Sequence, residues 1–417
     1  MNTGHRSGQY SDQNWLRSFM FTLYGTSVLV VSYFPLFYAH LGFSSPQMGL
    51  LYSVGPLISI LSNLFWSMMS DRLGTVRKIM ALLLGGQLVT AIILFQATSF
   101  SGVLLILSCF YFFYYPVFPL ADTMAIRIAQ RHGRNFIAIR VFGSLGYSFF
   151  ALTIGYVLRA LGPEYSVAIC IVIVVTALLI TLGLKDVKRS EPSGTVTPDD
   201  EAPDPDQPLK GAGLRQILLQ KEVLWFFGSV FLLAIGYRMN EAFLTISLKG
   251  MNAGDEIVGW ALLASALSEI PVFFLLSKYG DRFKELPLLA FASLMFTLRF
   301  LLMALVQEPG MVVAIQAMHS VSFGIYYVTA VRYITRMIPD HLRATGMALF
   351  TVVWSSGAGL LSGTFGGIVY QDAGRVIFYV VATGFSILAF AGFLLRHLLD
   401  TGGGISRPLR NKSKTSL

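Results

Sequence analysis

The chain has 417 residues, of which 54% are hydrophobic and only 13% charged, with a mean hydropathy of +0.64. Soluble proteins carry about 25% charged residues, so the composition excludes an ordinary soluble domain and points to a lipid environment. The net charge of +9 does not indicate a nucleic-acid binder, because Lys and Arg fall in short loops between apolar runs, where membrane topology places them.

The polar start, Met1 to Asn14, leads into a long first span without a small-residue cleavage site at signal-peptide distance, so it reads as retained and cytosolic. Apolar runs then recur at about 20 residues, the length that crosses a bilayer, and they lack the strict alternation of β-barrel strands. The first six are Leu16–Ala39, Pro46–Met69, Val76–Ala97, Gly102–Met124, Phe136–Leu158 and Ser166–Leu184. The next six are Glu222–Leu248, Ile257–Lys278, Leu286–Val306, Met311–Ile334, Ala344–Tyr370 and Arg375–Leu395. Between the sets lies a segment rich in Pro (Pro192, Pro198, Pro203) and in acids (Asp199, Asp200, Glu201), the composition of a flexible linker. The pattern predicts an all-α membrane fold of twelve helices: a six-helix bundle over 1–184, a linker over 185–215, a second bundle over 216–400 and a tail over 401–417.

Alternate loops hold the positive charge: Arg72, Arg77 and Lys78; Arg127, Arg131 and Arg134; Lys185, Lys188 and Arg189; Lys278, Arg282 and Lys284; Arg336 and Arg343. The opposite loops hold only Arg159, Lys249 and Arg375. Both termini and the linker are therefore expected in the cytoplasm, with the chain in the inner (cytoplasmic) membrane. The halves also repeat one another. SDRLGTVRK, from Ser70, follows the second span and YGDRFK, from Tyr279, follows the eighth, so Asp71-Arg72 and Asp281-Arg282 occupy corresponding loops. Parallel repeats of this kind are how one class of secondary transporter is built.

SDRLGTVRK resembles the loop signature of the major facilitator superfamily, with Ser67 where a leading Gly is usual. SYFPLF (Ser32–Phe37), PLADTMA (Pro119–Ala125) and RVFGSLGY (Arg140–Tyr147) are similar to the lactose permease and phenylpropionate permease branch, whose members are proton symporters. The resemblance runs along the whole chain in order, with few identities per helix. It implies the twelve-helix fold of two six-helix halves related by a pseudo-two-fold axis.

Ionisable groups inside spans are costly, about 3 kcal/mol or more each when unpaired, and mark functional sites. Here they are Asp122, Arg140, Arg238, Glu241, Glu269, Arg299 and His319, three acids against three permanent bases. Asp122, late in the fourth span, and Arg140, early in the fifth, are expected at similar depth, as a substrate pair or as a tie between helix ends. The resemblance implies that they bind the solute, with Tyr147 in the place of a Trp that stacks on a sugar ring. Glu269, Arg299 and His319 fall at mid-depth on three successive spans and match, residue by residue, an acid linking sugar and proton sites, an Arg, and a His bonded to that acid. Three residues beyond His319, where that branch has its proton-releasing carboxylate, stands Ser322. Any proton must then be carried by Glu269 or Glu241. Arg238 and Glu241 are three apart and can pair on one helix face, as a local pair or in gating or proton coupling. Gly359, Gly363, Gly366 and Gly367 offer a small-residue packing face, and Pro35, Pro116, Pro119 and Pro271 are expected to bend their helices.

The expected function is proton-coupled symport of a small polar solute (sugar, nucleoside or small organic acid). Asp122, Arg140 and Tyr147 would face Glu269 and His319 across the midplane, and the loops at Asp71 and Asp281 would latch the cytoplasmic side. A drug or lipid exporter of the same fold is the alternative, with the aromatic run CFYFFYYPVF from Cys109 as its support. An enzyme is not indicated: the sequence has no His-Glu-x-x-His, no pair of intramembrane Asp residues and no GxxxxGK[ST]. The two cysteines, Cys109 and Cys170, lie inside apolar runs and suggest neither a disulfide framework nor a metal site. The expected partners are the solute, protons and the lipid bilayer, with no cofactor, a proton gradient as energy source, and a monomeric chain.

Overall fold

The computed structural model describes residues 3–131, 137–184, 220–279, 282–338 and 343–402, which are helical apart from short connections. The linker over 185–215, Asp281 and the tail from 403 lie outside the described residues. Ten helical spans come first: α1 (Gln13–His40), α2 (Ser45–Ser70), α3 (Val76–Gln96), α4 (Phe100–Ile128), α5 (Ile139–Leu161), α6 (Pro163–Gly183), α7 (Lys221–Gly250), α8 (Asp255–Leu276), α9 (Glu285–Leu305) and α10 (Pro309–Met337). A segment of 55 residues, Gly346–Asp400, follows. As one helix it would be about 80 Å long, against a hydrocarbon core of about 30 Å. Gly374 divides it with φ 75° and ψ 178°, a conformation open to glycine. The halves of that segment are α11 (346–373) and α12 (375–400), which makes twelve spans among the described residues, close to the predicted boundaries. The polar start is itself helical, because helix begins at Thr3 and runs without a break into α1.

Local chemistry explains the tight connections. The loop signature carries Gly74, left-handed at φ 62°, which ends α2, and Thr75, whose side chain accepts from the backbone N–H of Lys78 and caps α3. Ser44 and Gln47 form a capping box that starts α2. Proline acts in two ways. Pro116 breaks α4 into Phe100–Tyr114 and Val117–Arg131. Pro119 bends nothing, since it falls in the first turn of the second piece, where no backbone N–H is required. Pro35 follows a π-helical turn at Leu29–Tyr33, while Pro56 and Pro271 lie inside α2 and α8. Two more π turns, Ser320–Gly324 in α10 and Val352–Gly357 in α11, widen the helix beside buried polar groups.

The halves meet along two seams, α2 against α11 and α5 against α8. In the first, a Cβ on Gly49 would lie 1.9 Å from the Gly363 carbonyl oxygen, so the two backbones touch. Gly359 and Gly367 continue this face toward Pro56 and Ser45, whereas Gly366 turns away toward Met239 and Phe378. The hydroxyl of Ser53 donates to the carbonyls of Gly359 and Leu360, and that of Ser356 to Pro56. In the second seam Gly155 packs on Asp255 and Gly259 on Ala151. An ion pair, Arg159 to Glu256 at 3.0 Å, closes its rim. All these contacts lie between mid-depth and the end of the molecule that holds the α1–α2, α5–α6, α7–α8 and α11–α12 connections. The halves are therefore joined at that end.

Candidate functional site

Beneath the seams lies a cavity of about 470 Å3, lined by α1 and α5 of one half and by α7, α8, α9 and α10 of the other. Arg140, Ser144 and Tyr147 repeat at intervals of four and three, so one face of α5 presents all three to the cavity. The glycine between them permits this wall: a Cβ on Gly146 would lie 2.0 Å from the Phe21 carbonyl oxygen, so α1 and α5 pack backbone to backbone. The Arg140 guanidinium sits 4.5 Å from the centre of the Tyr24 ring, a cation–π contact. Its Nε lies 3.4 Å from Oδ1 of Asp122, an ion pair outside hydrogen-bond geometry. The structure thus brings Asp122 and Arg140 together, but Asp122 is not among the residues lining the cavity and meets it only through Arg140.

The facing wall holds a buried polar chain. Arg299 is 1% exposed. Its Nη1 lies 3.0 Å from Nδ1 of His319, and its Nη2 donates to Oε1 of Gln316. A guanidinium only donates, so Nδ1 of His319 accepts and the ring proton sits on Nε2. Nε2 then donates to Oε1 of Glu269 at 3.1 Å. No carboxylate of the described residues touches Arg299, so its nearest negative charge is Glu269, one imidazole away. His319 and Phe323, one helical turn apart across the π turn of α10, share the cavity wall, stacked at 5.0 Å. Ser322 donates to the Met318 and His319 carbonyls within its own helix and does not line the cavity.

A third cluster joins the halves. Glu241 lines the cavity and accepts from Arg238 on its own helix and from Tyr52 of α2. Arg238 is turned away, held by the Trp354 carbonyl at 3.2 Å and the Ser355 hydroxyl at 2.8 Å in the π turn of α11. Of the loop residues, Arg72 is exposed at the last turn of α2's helix and the Arg282 guanidinium lies 5.1 Å from the Tyr279 ring centre. Only the helical position of Asp71 is described. Sequence reasoning missed Tyr24, Tyr52, Asn240 and Gln316. Gln316 carried a usable signal, being one helical turn before His319, whereas the pairing of Tyr52 with Glu241 spans 189 positions and leaves no local trace.

The chain matches the model of the MFS_1 like family over residues 14–381. It is 25% identical over 343 residues to "Putative nucleoside transporter YegT" of Escherichia coli (strain K12), covering 79% of this chain and 78% of that one. It is 21% identical over 373 residues to "Probable 3-phenylpropionic acid transporter" of the same organism, covering 88% and 94%. Its fold is similar to the crystal structure of a variant of the nucleoside transporter NupG, with a TM-score of 0.78, 17% identity, and coverage of 92% of this chain and 99% of that one. The twelve-helix architecture and the match over most of its length show that this chain is a multi-pass membrane transporter belonging to the MFS_1-like family of the major facilitator superfamily.

Proposed function

We propose that this transporter moves a small polar solute together with protons, exposing the cavity alternately to the two sides as the halves rock. The observation that carries this reading is the chain Glu269–His319–Arg299–Gln316 on the cavity wall. A proton carrier must be ionisable, reach the cavity and sit where its charge matters. Arg299 keeps its proton, and Nδ1 of His319 is committed to Arg299. Glu241 is held by Tyr52 and Arg238, which leaves Glu269, partly exposed on the cavity wall, as the group that gains and loses the proton. Its protonation removes the negative charge nearest Arg299, so proton and solute binding are linked through one network. Arg140 and Tyr147 offer donors and a ring face to the solute from the other half. The Lys and Arg pattern of the loops supports placing both termini in the cytoplasm. On that topology the joined end of the halves faces away from the cytoplasm. The names of the relatives favour a nucleoside or an aryl acid as the solute, and the resemblance to the lactose permease branch adds a sugar. The test is uptake of labelled uridine, maltose and 3-phenylpropionate into proteoliposomes, with and without an acid-outside pH gradient. One solute should accumulate only with the gradient, and a protonophore should abolish the effect. Uptake that ignores the gradient for every solute that enters would refute proton coupling.

A further inference from the structure

We infer that Glu241 is a solute-binding residue which reads a hydrogen-bond donor, and that Tyr52 of the opposite half positions it, so the cavity selects neutral, donor-bearing solutes over carboxylates. The inference rests on the reading of this cavity as the solute site and adds the chemical class of the solute.

The two oxygens of Glu241 are not equivalent. Oε2 takes both strong donors, Tyr52 and Arg238. Oε1 has only the Tyr237 hydroxyl, at 3.5 Å, the outer edge of hydrogen bonding. The carboxylate lines the cavity, so Oε1 presents acceptor capacity there, and a hydroxyl or N–H of a solute satisfies it. Arg238 cannot swing in to compete, because the Trp354 carbonyl and the Ser355 hydroxyl hold its remaining nitrogens. A solute carboxylate would meet two acceptors, Glu241 and Glu269, with poor compensation. Arg299 reaches the cavity wall with both terminal nitrogens already committed to His319 and Gln316, and Arg140 already faces Asp122. Tyr52 matters because it comes from the other half. Only while α2 and α7 are together at this end is Oε2 pinned and Oε1 aimed at the cavity. Separation of the halves removes Tyr52 and frees the carboxylate to turn, which lowers solute affinity as the site changes sides. Ser53, next to Tyr52, also bonds across the seam but to backbone carbonyls away from the cavity, which makes it the control.

The experiment is equilibrium binding of uridine, maltose and 3-phenylpropionate to the full chain in detergent, for the wild type and for Tyr52→Phe, Glu241→Gln and Ser53→Ala. Uridine or maltose should bind more tightly than 3-phenylpropionate. Tyr52→Phe should weaken that binding roughly tenfold, the scale of one well-placed hydrogen bond to a charged group, while Ser53→Ala leaves it unchanged. Glu241→Gln should weaken the neutral solute and strengthen the acid, a change of ratio that general misfolding cannot produce. Tighter binding of 3-phenylpropionate, binding of none of the three, or unchanged affinities in both Tyr52→Phe and Glu241→Gln would overturn the inference. If these binding effects hold but no pH gradient drives uptake, the inference stands and the proton-coupled reading falls.

Discussion

Nη1 of Arg299 faces Nδ1 of His319 at 3.0 Å, and this contact sets the direction of every hydrogen bond from α9 to the cavity. The histidine accepts on one side and donates to Glu269 on the other. A lysine at 299 would keep the charge but lose the planar fork, since one ammonium does not span His319 and Gln316. Arg299→Lys should lower stability by about 1–3 kcal/mol, the cost of buried polar groups left unpaired, and reduce uptake. A thermal unfolding scan beside a transport assay checks both. Wild-type values in each would show that the fork has no role.

At the opposite wall the arrangement predicts a graded result. Arg140 lines the cavity, whereas Asp122 stands outside the lining and pairs with Arg140. Arg140→Gln should abolish measurable solute binding, whereas Asp122→Asn should weaken it and leave binding detectable by calorimetry. Equal loss in both variants would mean that Asp122 contacts the solute directly in another state of the cycle.

The seams predict which contacts hold the joined end together. Gly363→Val forces a side chain into the Ser53 hydroxyl and the Gly49 carbonyl oxygen, and overpacking of this kind costs about 1–3 kcal/mol. The halves should separate there, raising the reactivity of a cysteine placed at Ser45. Gly85, with nothing within 4 Å of its would-be Cβ, should accept alanine without effect. Glu256→Gln removes the rim ion pair, but Arg159 is 62% exposed and such pairs contribute about 0–1 kcal/mol. Cysteine reactivity in Glu256→Gln should stay close to the wild type.

Much of the fold was legible because bilayer physics writes it into the sequence. Lengths of apolar runs fix the spans, and SDRLGTVRK pointed to the superfamily that the family match bears out. That loop is legible for a local reason, since Gly74 and Thr75 end one helix and start the next. The meeting of Asp122 with Arg140 was foreseeable from depth along adjacent spans, and that of Glu269 with His319 was implied by the resemblance to the permease branch. The bond from Tyr52 to Glu241 was not, because it depends on which face of α2 meets the other half. The π turns were equally hidden: nothing local in Ser320–Gly324 demands one.

The central claim is that Glu269 carries the coupled proton, and Glu269→Gln in proteoliposomes tests it most directly. Glutamine keeps the size of the side chain and an acceptor for Nε2 of His319 but cannot exchange a proton at neutral pH. The account predicts that the variant still exchanges internal for external labelled solute, yet accumulates none when an acid-outside gradient is imposed. Accumulation by Glu269→Gln at the wild-type level, with the wild-type dependence on the gradient, would contradict it.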